Sequence, residues 1–149
     1  MTEGLFLEEF EISGNSVSAA VCVLPQNLRV SDGLAKTILA LRPTLAEHTC
    51  KHLGFGYFGD RLVGTTLPHL VEHLAIDYLV EENRRKASDG FESDEDASQA
   101  IAGITRWLDR DSGRMHVRIS CTAQSVDETC KAITRAIDEV NHLLAQRVW

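Results

Sequence analysis

Apolar residues recur at even spacing at Phe6, Phe10 and Ile12 in LFLEEFEI (5–12), and SGNS separates that run from a second, mostly apolar one, VSAAVCVLP (17–25). A period of two marks strands, and the Gly14-Asn15 pair joins them as a hairpin with Phe6, Phe10 and Ile12 on one face. The period then lengthens to that of a helix. In SDGLAKTILALR, Ser31 and Asp32 stand as N-cap candidates before apolar residues at Leu34, Ile38 and Leu41. Pro43 interrupts the pattern and opens a second short helix over PTLAEHTC. After a glycine-rich connection, LGFGYFGDRLVG, Thr66 and Pro68 mark the start of a helix over 67–80. IAGITRWL and MHVRISCT, separated by DRDSGR, form a second hairpin in which Met115, Val117, Ile119 and Cys121 share a face. Ser125 and Glu128 make a capping box for a last helix striped by Val126, Cys130, Ile133, Ile137, Val140 and Leu144. This order of hairpins and helices predicts an α+β two-layer sandwich: a mainly antiparallel four-stranded sheet with about three helices on one face.

Length and composition narrow the picture. A chain of 149 residues is expected to form one domain, 1–149, large enough for a real core. NRRKASDGFESDEDASQ has one periodic apolar residue, Phe91, and many acids, which predicts a mobile acidic loop over about 84–99 rather than a linker. A net charge of −7 argues against a nucleic-acid partner and against an anionic membrane surface. The acidic N-terminus has no secretory character and no apolar run reaches membrane-spanning length, so a cytoplasmic protein is expected. Cys22, Cys50, Cys121 and Cys130 contain no CxxC pair and read as reduced thiols.

The helix over 67–80 carries the candidate chemistry. Leu67, Leu70, Val71, Leu74 and Tyr78 form its sheet-facing side, while His69, Glu72 and His73 lie on the other, followed by Ile76 and Val80. A helix apolar nearly all round is covered on both sides, which puts Glu72 in or beside a cleft. A buried carboxylate between two imidazoles needs pairing or a metal. H-x-x-E-H is the inverted zinc-hydrolase motif, with two histidines on Zn2+ and the glutamate as general base toward water. A third ligand is needed; His48, Cys50 and Cys121 are the candidates, while Glu81 and Glu82 lie too far along the helix. His52, His116 and His142 read as solvated surface.

The run LRPTLAEHTCKHLGFGYFGDRLVGTTLPHLVEHLAIDYL resembles the N-terminal domain of cyanophycin synthetases, which carries a similar run of L-P-x-L-x-E-H-x-C, a glycine-rich stretch, G-T and H-x-x-E-H. GITRW is similar to that family's G-R-T-R segment, and the ATP-grasp and ligase domains that make the polymer are absent from this sequence. The resemblance implies a shape related to pitrilysin-type enzymes and S-ribosylhomocysteinase. It also implies zinc held by His69, His73 and, through the match at E-H-x-C, His48, with Cys121 as runner-up in imitation of a His/His/Cys site. Arg106, matched to G-R-T-R, would hold a substrate carboxylate. The expected function is zinc-dependent hydrolysis of amide bonds in a peptide-like, arginine-rich substrate such as the Asp/Arg polymer cyanophycin, with Glu72 as general base. Two alternatives stand beside it: a non-catalytic polymer- or peptide-binding module, and an S-ribosylhomocysteinase-like lyase. The cleft is expected to be closed either within one subunit or across a homodimer.

Overall fold

A computed structural model describes residues 4–50, 56–87, 101–121 and 125–146. Strand β1 (Gly4–Ser13) and strand β2 (Ser16–Leu24) form the first hairpin. Helix α1 (Asp32–Leu41), a 3-10 turn (Pro43–Glu47), the single-turn helix α2 (Phe58–Arg61) and the long helix α3 (Leu67–Ala87) follow. Strands β3 (Ile101–Asp109) and β4 (Arg114–Cys121) form the second hairpin, and helix α4 (Val126–Ala145) comes last. The four strands make one antiparallel sheet in the order β1-β2-β4-β3, so the hairpins meet through β2 and β4 and leave β1 and β3 as edges among the described residues. The architecture is the α+β two-layer sandwich that the pattern predicts. Among the described residues no helix is long and apolar enough to cross a membrane.

One sheet face is apolar because alternate residues of each strand point to it. Val17, Ala19, Val21, Val117 and Ile119 are fully buried there, and α3 and α4 pack against the sheet. The opposite face carries Ser18, Arg114 and Arg118, the solvated side an antiparallel sheet can keep. Both long helices start where their caps require. Thr66 Oγ1 accepts from the His69 amide, and Ser125 Oγ accepts from the Glu128 amide. Ser31 does the same for α1, accepting from the Leu34 amide.

Three local expectations change. A register shift between Leu7 and Glu9 reverses the alternation of β1, so Phe10 and Ile12 pair with Ala19 and Val17 on the core side, while Phe6 pairs with Cys22 on the other. Phe6 therefore does not share their face. The helix expected over 43–50 ends as a 3-10 turn at Glu47, and His48 is already extended at φ −61° and ψ 136°. Helix α3 runs on to Ala87, because EENRRKA contains no breaker and Glu82 pairs with Arg85 one turn on. Residues 84–87 are thus helical rather than loop, and the rest of the expected acidic loop, 88–99, lies outside the described residues.

Candidate metal centre

Helix α3 is buried from Leu67 to Val80, with only Ile76 half-exposed. One side meets the sheet. On another, Phe58 of α2, itself fully buried, stacks on the His73 ring at 3.9 Å and meets the His69 ring edge-on at 5.2 Å. Gly59 lets α2 pack directly against the 3-10 turn, since a Cβ there would lie 2.9 Å from the Ala46 Cα. The two imidazoles, one turn apart on α3, are thereby fixed in T-shaped contact at 4.9 Å.

The extended turn after the 3-10 segment brings in the third donor. Thr49 bridges to Tyr57, and the Cys50 amide donates to the Gly56 carbonyl at 2.9 Å. In extended backbone, residues two apart point the same way, so His48 and Cys50 both face α3. The Cys50 Sγ lies 3.4 Å from His69 Nε2, while Thr65 Oγ1 lies 2.7 Å from His69 Nδ1. Ligand atoms of Cys50, His69 and His73, all buried, lie within 4.8 Å of one another. A thiol and two imidazoles at this spacing could hold a metal ion, and the set suits zinc or another thiolate- and imidazole-binding transition metal.

Glu72 stands beside this group. Its Oε1 accepts from Thr105 Oγ1 of β3 at 2.6 Å, and its Oε2 lies 3.6 Å from His73 Nε2. The approach of α3 to β3 depends on Gly103, where a Cβ would lie 2.8 Å from Ile76 Cδ1 and 2.9 Å from Glu72 Cγ. Burial raises the Glu72 carboxyl to about 7, against the lowering effect of the Thr105 hydroxyl. Burial, with His69 and His48 as neighbours, lowers His73 to about 2. In the metal-free protein both groups are therefore biased toward their neutral forms.

His48 takes a different place from the one expected. Its Nδ1 lies 3.2 Å from His73 Nδ1 and its Nε2 lies 3.0 Å from Asp77 Oδ1, so it adjoins the donor group through His73, and Cys50 completes the group instead. Asp77 also accepts from Thr44 Oγ1 at 2.7 Å and from Arg42 Nε at 2.9 Å. Burial would raise its carboxyl, but the hydrogen bonds from His48, Thr44 and Arg42 outweigh it and hold the group below its ordinary value. Arg106 is not at the site. It pairs with His116 on the opposite face of the sheet, because the alternation that turns Gly103 and Thr105 toward α3 turns Arg106 away. Cys121 is buried in the core opposite Ile101, outside the donor group. His142 is exposed and His116 half-exposed on the open sheet face, while His52 lies outside the described residues. Asp77, Thr65 and Thr105 are the partners that sequence reasoning missed. Asp77 had a signal: with His69 and His73 it continues the i, i+4, i+8 line of one helical face.

A cleft of about 820 Å³ opens over the group, between α3, β3 and the 44–50 segment. Gly103 and Thr105 lie on its floor beside Glu72, and Glu47 and Arg84, both exposed, lie at its rim. No family model, curated protein or solved structure matches the chain.

Proposed function

We propose that the protein is a zinc-dependent hydrolase of amide bonds in a peptide-like, arginine-containing substrate, with Cys50, His69 and His73 as the zinc ligands. The observation that carries this reading is the meeting, in one cleft, of a buried Cys/His/His group with a carboxylate that is held outside it. Zinc bound there supplies Lewis acidity toward a scissile carbonyl and toward water. The chain's own residues supply the rest. Thr105 fixes Oε1 of Glu72, leaving Oε2 on the His73 side to take a proton from an attacking water and return it to the leaving amine. Phe58, stacked on His73, keeps water from that side of the ring. The rim carries Glu47 and Arg84, opposite charges that suit a substrate with both basic and acidic side chains, as in the Asp/Arg polymer suggested by the family resemblance. The Cys/His/His donor set also favours a second reading, the S-ribosylhomocysteinase-like lyase, which predicts cleavage of a thioether sugar instead.

The test is Glu72→Gln, assayed with the Asp/Arg polymer, arginine-containing peptides and a thioether sugar. The variant keeps its zinc and loses about 10² to 10⁴ in rate on the polymer or peptides. A variant that cleaves them at the wild-type rate shows that Glu72 is not the base. Turnover of the thioether sugar alone selects the lyase.

A further inference from the structure

His73 has two ring nitrogens with different neighbours. Nδ1 faces His48, and Nε2 faces Glu72. Only a nitrogen without a proton can bind a metal, so the tautomer of His73 decides whether Nε2 is available. Two neutral imidazoles whose Nδ1 atoms lie 3.2 Å apart can share one proton between those atoms, and which ring carries it depends on the far side of His48. There Asp77 lies 3.0 Å from His48 Nε2. A carboxylate accepts and does not donate, so a neutral His48 carries its proton on Nε2, its Nδ1 accepts, and His73 donates from Nδ1. The chain of protons leaves His73 Nε2 bare.

We propose that Asp77 and His48 are positioning residues that set the tautomer of His73 and present its Nε2 to a metal. Asp77 is suited to the task because it is 4% exposed and both its oxygens are engaged. Oδ1 accepts from Thr44 as well as His48, and Oδ2 accepts from Arg42 through Nε at 2.9 Å and Nη2 at 2.7 Å. This double contact fixes more than the carboxylate's place. Guanidinium has donors only, so whatever occupies the Oδ2 position must accept. In Asp77→Asn, a change of one atom, the amide oxygen must therefore face Arg42 and the amide nitrogen must face His48. The nitrogen donates to His48 Nε2, His48 moves its proton to Nδ1 and donates to His73, and His73 is left protonated on Nε2. Nearly unchanged in shape, the site then has the wrong tautomer. The metal part of the inference rests on the proposed function, whereas the proton order belongs to the metal-free protein as well.

The experiment reads both. Histidine-selective 15N NMR of metal-free protein at neutral pH identifies which nitrogen of each ring is protonated, and a Zn2+ competition titration gives affinity. Wild type shows His73 protonated on Nδ1. Asp77→Asn shows it on Nε2, with zinc affinity about 10- to 100-fold weaker. His48→Phe, which removes the acceptor, gives the same shift toward Nε2 and covers the case in which Asp77→Asn does not fold. A merely structural role for Asp77 would lower the melting temperature without inverting the tautomer. Wild-type His73 protonated on Nε2, or His73 still protonated on Nδ1 in either variant, overturns the proposal, as does an inverted tautomer with zinc affinity within about twofold of wild type. A wild-type protein with the Nδ1 tautomer that takes up no zinc upholds the proton order while contradicting the proposed function.

Discussion

Replacing Glu72 by Gln in the metal-free protein should change the pH dependence of stability in a way that isolates this carboxyl. Glu72 moves from an ordinary value of 4.5 to about 7 on folding. Because the folded-state value is raised, its contribution is fully present below pH 4.5 and is lost as pH rises through about 7. At about 1.4 kcal/mol per pH unit, the loss is about 3 kcal/mol. His73 works in the opposite sense. Its value falls from 6.5 to about 2, so its contribution is present above pH 6.5 and is lost as pH falls toward 2. Between pH 4.5 and 6.5 the two slopes oppose and nearly cancel, leaving this pair's contribution flat in wild type. Gln keeps a carbonyl to accept from Thr105 but cannot ionise. Glu72→Gln should therefore gain stability relative to wild type by about 3 kcal/mol between about pH 4 and pH 8. Urea denaturation of both proteins in chelator at several pH values measures the difference. A difference that stays constant across this range would refute the assignment of a buried, neutral Glu72.

Two further substitutions probe the supports of the site. Gly103→Ala should cost about 1–3 kcal/mol in chemical denaturation, since its Cβ would meet Ile76 and Glu72 below ordinary contact distance, and unchanged stability would show that α3 does not approach β3 so closely. Thr65→Val removes the hydroxyl beside His69 Nδ1 and should weaken zinc binding about 10- to 100-fold in competition titrations, whereas wild-type affinity would show that Thr65 does not orient the ring.

Much of the fold is legible in the alternation and caps, because each of these is decided by neighbours in sequence. Ser31, Thr66 and Ser125 cap as their side chains predict, and the two hairpins follow from periods of two broken by turn residues. H-x-x-E-H also places His69, Glu72 and His73 together, since helical spacing fixes their common face. What stays hidden is where a period is broken without a marker residue. The shift near Glu8 turns Phe6 away from Phe10, and no glycine or proline marks it, only the doublet Glu8-Glu9. The change from 3-10 turn to extended backbone at His48 puts Cys50 in the donor group, whereas a continued helix would separate His48 from Cys50 by about 200°. Arg106 is a different case. Strand alternation alone separates it from Thr105, and the family-based role passed over that parity.

X-ray absorption at the zinc edge of the fully loaded wild-type protein tests the central claim most directly. One zinc per chain with one sulfur and two imidazole nitrogens among its ligands is the predicted result, with the sulfur lost in Cys50→Ser. A centre with no sulfur, or with three imidazoles and His48 as the third, would contradict it, as would a protein that takes up less than one zinc under saturating metal.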